Sequence, residues 1–87
     1  MTTHGLQQAL ATIGAPAHAY SLAGGLPNEA YCLDSRGSGW EVYYSERGNM
    51  NRIASFDNEA QACQYFLDLI KKKVMPFYKA EPARKSI

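Results

Sequence analysis

Trp40-Glu41-Val42-Tyr43-Tyr44-Ser45-Glu46 is the stretch on which the fold of this chain turns. It is rich in aromatic and β-branched residues and lies between Arg36-Gly37-Ser38-Gly39 and Gly48-Asn49-Met50-Asn51, two segments suited to hairpin turns. It therefore reads as the middle strand of a three-stranded antiparallel meander, with residues 31–34 before it and residues 52–56 after it. Side chains alternate across a strand, so Trp40, Val42 and Tyr44 share one face while Glu41, Tyr43, Ser45 and Arg47 share the other. The first set is the more apolar and is expected to meet the core. The second is expected to meet solvent, as one face of an antiparallel sheet can.

Helices flank the meander. Leu6, Ala9, Leu10 and Ile13 repeat at helical spacing before the stop signal Gly14…Pro16, which predicts a first helix over residues 3–13. Residues 15–29 hold two of the four prolines and the turn-forming Gly24-Gly25-Leu26-Pro27-Asn28, with Tyr20 and Leu22 placed to tack this loop to the core. After the third strand, Asp57 or Asn58 can cap a second helix, with Glu59 in its first turn and Lys71-Lys72-Lys73 in its last, each where the helix dipole favours that charge. Ala60, Cys63, Phe66, Leu67, Ile70 and Val74 form its apolar stripe, widened by Tyr65 and Leu69. Pro76 is expected to close this helix. The expected fold class is α+β in the order α-β-β-β-α, a single globular domain over residues 1–76 covered by helix on one face of the sheet. Residues 77–87 read as a basic, poorly anchored tail.

Eighty-seven residues leave no room for a second core when domains run to about 100–200 residues. No apolar run approaches the ~20 residues of a membrane span. The opening Met1-Thr2-Thr3-His4-Gly5 lacks the pattern of a secretory signal, so the expected compartment is the cytosol and Cys32 and Cys63 are expected as free thiols. The net charge of +1 is unevenly spread: residues 1–70 carry three arginines against seven carboxylates, and residues 71–87 six cations against one. An acidic body repels phosphate backbones and attracts basic proteins.

The residues offer little chemistry. His4, His18, Cys32 and Cys63 are single and scattered, without the local pairing a metal site uses, and no metal or other cofactor is expected. Neither cysteine has a base near it in sequence, and Cys63 sits on the apolar stripe where burial would raise its pKa, so no enzymatic activity is expected. Glu41 and Glu46 are five apart on one strand and point to opposite faces, and Asp57 is more simply a helix cap. The α-β-β-β-α order is shared with double-stranded RNA-binding domains, which grip phosphates with a basic start to their last helix. Here that helix starts Asp57-Asn58-Glu59-Ala60, and its lysines stand at the other end. What is left is protein binding. Ten aromatic residues crowd a short chain, and Tyr31, Trp40, Tyr43 and Tyr44 gather in the first two strands, more than one face can hide. Tyrosine and arginine flanked by carboxylates suit the anchors and rim of a protein interface.

The segments Gly24-Gly25-Leu26-Pro27-Asn28-Glu29-Ala30-Tyr31-Cys32-Leu33, residues 40–48 and Phe56-Asp57-Asn58-Glu59-Ala60-Gln61-Ala62-Cys63-Gln64-Tyr65-Phe66-Leu67 together resemble small immunity proteins of bacterial polymorphic-toxin systems. The resemblance covers roughly residues 20–70. It implies a cytosolic, non-catalytic inhibitor whose partner is the C-terminal domain of a cognate toxin, occluded at its active or target-binding face. Tyr43, Glu41, Glu46 and Arg47, with Asn28 and Glu29 from the neighbouring loop, are the expected partner-binding residues. Ser45-Glu46-Arg47-Gly48, a charged strand end entering a turn, can equally be a local ion pair. The alternative function is a small nucleic-acid-binding module that uses the basic C-terminal segment and exposed tyrosines for stacking.

Overall fold

A computed structural model describes residues 1–78 of the chain. Helix α1 spans Thr3–Thr12, a 3-10 turn Ala17–Ala19, and strands β1 to β4 Tyr20–Ser21, Ala30–Arg36, Gly39–Glu46 and Asn49–Phe56. Helix α2 spans Glu59–Lys73, and a last turn, α3, Met75–Tyr78. The expected α+β class and antiparallel meander are present as β2, β3 and β4. The two-residue β1 adds a fourth strand beside β2, paired in parallel, so the sheet order is β1-β2-β3-β4. The sequence signal for β1 was too short to separate from the surrounding loop.

The turns follow from backbone chemistry. Between β3 and β4 the turn is Arg47-Gly48, both at positive φ (52° and 80°), and Asn49 to Asn51 belong to β4 instead of to the turn. Two positive-φ residues match the right-handed twist of the strands they join. Opposite Val42 and Tyr43, β4 carries an extra residue: Val42 pairs with Ala54 and Tyr43 with Arg52, leaving Ile53 as a bulge on the sheet's outer strand.

One core lies between the sheet and the helices. Leu33 and Val42, directly opposed on β2 and β3, meet Ala62, Cys63, Phe66, Leu67 and Ile70 of α2, and α1 adds Leu6 and Leu10. Ala62 occupies the buried stripe where Ala60 was expected; Ala60 faces solvent. The starts of α1 and α2 are each held by a side chain: the Gly5 N–H donates to Thr2 Oγ1 at 3.2 Å and the Gln61 N–H to Asn58 Oδ1 at 2.8 Å. Glu59, in the first turn of α2, also accepts from the Thr3 N–H at 2.8 Å and ties the two helix starts together.

Pro76 does not end the helical chain. Helix α2 stops at Val74, whose N–H still donates to the Ile70 carbonyl, and Pro76 falls inside the new turn α3, where a missing N–H costs nothing. Residues 77 and 78 are therefore helical. The rest of the expected basic tail, residues 79–87, lies outside the described residues.

Candidate interaction site

The second face of the sheet is not wet. Ala30 is 1% exposed, and Cys32, Tyr43 and Ser45 are fully buried, although they point away from the helices. The loop over residues 22–29 returns against this face. The Tyr43 hydroxyl donates to the Gly25 carbonyl at 2.6 Å, the Gly24 N–H donates to the Leu33 carbonyl at 3.2 Å, and the Ser21 hydroxyl donates to the Gly24 carbonyl at 2.9 Å. Burial pushes the Tyr43 hydroxyl and the Cys32 thiol above their ordinary pKa values, the neighbouring Asp34 charge adding to both. Cys32 and Cys63 are free and buried, and the Cys63 thiol is likewise raised by burial. Tyr43 thus corrects the expectation of a solvent-facing anchor: its ring seals a small second core, and a partner cannot reach it without opening the loop.

Glu41 is likewise engaged within the fold. It stands on the same face one turn of the pleat away, 13% exposed, with Arg52 Nε at 2.5 Å and Arg36 Nη1 at 3.6 Å; Arg36 Nε also reaches Asp34 at 2.9 Å. Asp34 and Glu41 oppose each other across β2 and β3, and the two arginines relieve that like-charge pairing. The Arg36 guanidinium lies 5.8 Å from the Tyr43 ring centroid. This cluster borders an open cleft of about 550 Å³ at the end of the sheet, lined also by Trp40, Phe56 and Gln61. Its cations are already paired with carboxylates.

The other four expected residues do come together. Asn28 Oδ1 accepts from the Arg47 N–H at 3.3 Å, which pins the loop to the β3–β4 turn. Burial raises the Tyr44 hydroxyl's pKa, and the charges of Glu46 and of Glu29, which sits at φ 54°, add to it. The Tyr44 and Tyr31 rings, on directly opposed residues, lie 4.8 Å apart and tilted by 58°. Asn28, Glu29 and Arg47 are exposed; Glu46, Tyr31 and Tyr44 are half-buried. One end of the sheet therefore presents a tyrosine pair, two carboxylates and one arginine on backbone fixed by two positive-φ residues and a side-chain hydrogen bond.

Sequence reasoning missed the tyrosine pair as a site component and also missed Leu26, which is 54% exposed at the apex of the covering loop. The signal for Leu26 was its position between Gly24-Gly25 and Pro27. Among the described residues, no group of three or more His, Cys, Asp or Glu could hold a metal ion, and no helix is long and apolar enough to cross a membrane.

No family model, curated protein or solved structure matches the chain.

Proposed function

We propose that this chain is a non-catalytic inhibitor, an immunity protein of a bacterial polymorphic-toxin system that works in the cytosol by occluding the active or target-binding face of a cognate toxin domain. The observation that carries this reading is the fixed end of the sheet formed by Asn28, Glu29, Glu46 and Arg47 around the Tyr31–Tyr44 pair. Interfaces concentrate their binding energy in aromatic and arginine side chains within a polar rim, and a pre-ordered backbone lowers the entropy lost on association. The carboxylates suit a basic partner and would speed its encounter. Tyr43 and Glu41 contribute to this site only by holding the fold beneath it.

The test asks first whether a neighbouring gene encodes a large secreted protein with a variable C-terminal domain, and then pairs the chain with that domain. Co-expression is expected to give a complex that co-purifies and that protects cells from the toxin. The double charge reversal Glu29→Lys with Glu46→Lys is expected to weaken the complex by more than about tenfold without changing the urea midpoint. Absence of a complex at micromolar concentrations would overturn the reading, and a complex indifferent to the reversal would remove this end of the sheet from it.

A further inference from the structure

The two faces of the sheet are closed by different means. On the helix side, Leu33 and Val42 are buried against Phe66, Leu67 and Ile70 of α2. On the other side the loop over residues 23–29 buries no large side chain of its own: Gly24 is its buried residue, Pro27 is half-buried, and the rest are exposed. Hydrogen bonds hold it down, from the Tyr43 hydroxyl to the Gly25 carbonyl, from the Gly24 N–H to the Leu33 carbonyl and from the Arg47 N–H to Asn28 Oδ1. Water replaces each of these partners when the loop lifts, so they oppose opening less than the apolar core opposes unfolding.

Two features work against the closed position. Ser45, fully buried on this face between Ala30 and Met50 of the neighbouring strands, has a hydroxyl without a hydrogen-bond partner. That penalty disappears once water reaches the face. Glu29, where the loop rejoins β2, is held at φ 54°, a strained conformation for a residue with a Cβ. Gly24 and Gly25, near the other end, have the backbone freedom to swing. The segments on either side stay in place: Leu22 packs on the main core, Ser21 pairs with Cys32, and β2 is laddered to β3.

We infer that residues 23–29 form a gate, which lifts from the sheet as a unit while the meander and both main helices stay folded, and which opens Cys32, Tyr43 and Ser45 to solvent. Closed is the predominant state. Of the two cysteines, both fully buried, Cys32 is then the one a small thiol reagent reaches in the folded protein, because Cys63 lies in the main core with Phe66 and Ile70. The inference stands apart from the toxin reading and needs no partner.

Labelling of the full chain with N-ethylmaleimide, which takes the cysteine sulfur and a proton across its double bond, tests it, with peptide mass spectrometry resolving the two sites. In water Cys32 is expected to react at least about 30-fold faster than Cys63 and still far slower than a free thiol. Its rate should rise only slightly with urea, since opening exposes little surface, whereas the Cys63 rate should follow global unfolding. Ile70→Val is expected to speed Cys63 about fivefold and leave Cys32 unchanged. Ser45→Ala removes the unpaired hydroxyl and should slow Cys32 about fivefold. Equal protection and equal urea dependence at the two thiols, or equal acceleration of both by Ile70→Val, would overturn the gate by showing that the loop leaves only with the whole fold. Labelling of Cys32 at the free-thiol rate would overturn it by showing that the face is never closed. A Cys32 rate unmoved by Ser45→Ala would overturn the part given to Ser45.

Discussion

The Tyr43 hydroxyl reaches the Gly25 carbonyl at 2.6 Å across eighteen residues of sequence, and this bond closes the second face of the sheet. The ring fills the space between sheet and loop, and the hydroxyl buried with it finds its partner in the carbonyl of Gly25, an exposed loop residue. Tyr43→Phe keeps the packing but removes this hydrogen bond, so it is expected to destabilise the fold by about 0.5–1.5 kcal/mol. Tyr43→Ala also empties the space and is expected to cost about 3–5 kcal/mol. Urea denaturation measures both. If Tyr43 instead acted as an exposed binding residue, neither substitution would shift the midpoint.

Gly24 is required where it is for two reasons that act together. Its φ of 70° strains any residue with a Cβ, and that Cβ would press on the Asp34 carboxyl, which is itself held by Arg36. Gly24→Ala is expected to destabilise by about 1–2 kcal/mol from the backbone alone, with more from the displaced carboxylate. Gly14, at φ 80° with open space around it, isolates the backbone part: Gly14→Ala should cost less than Gly24→Ala in the same denaturation experiment.

Arg47 opens a tight turn at φ 52°, a position usually given to Asn, Asp or Gly. Arg47→Gly relieves the strain and is expected to stabilise the free protein by about 1 kcal/mol. If Arg47 serves the interface, the same substitution weakens the complex, so stability and affinity move in opposite directions. Thermal unfolding and calorimetry on one protein sample read both quantities. A variant that is more stable and binds as well as the wild type would confine Arg47 to the turn.

What could be read in the sequence was set by the range of the interactions. The two main helices and the meander follow from local periodicity, caps and turn glycines, and Val42 falls on the expected face, opposite Leu33. The burial of Tyr43 could not be read this way, because it depends on a loop eighteen residues upstream folding back, and strand alternation says only that Tyr43 opposes Val42 in direction. Glu41 looked exposed for the same reason: its arginine partners come from β2 and β4 and become visible only when the register is known. Asn28, Glu29, Glu46 and Arg47 were identified from their chemistry, and the Asn28–Arg47 hydrogen bond brings the two segments together.

Alkaline pH should destabilise the fold through its buried thiols, the buried Tyr43 phenol and the half-buried phenols of Tyr31 and Tyr44. Burial raises Tyr31, Tyr43 and Tyr44 above the ordinary 10.0 and Cys32 and Cys63 above 9.0. A group whose folded pKa exceeds its unfolded value loses its proton first in the unfolded chain, so the stability it contributes is whole below the unfolded pKa and is lost as pH rises toward the folded one. The urea midpoint is therefore expected to be insensitive to these groups below about pH 8, to decline as the thiols enter their range, and to fall more steeply as the tyrosines enter theirs. Tyr43→Phe removes one of the three phenols and should flatten the upper part of that decline. A midpoint that held constant through about pH 11 would mean that these side chains ionise as freely folded as unfolded, and that neither face of the sheet is closed to solvent.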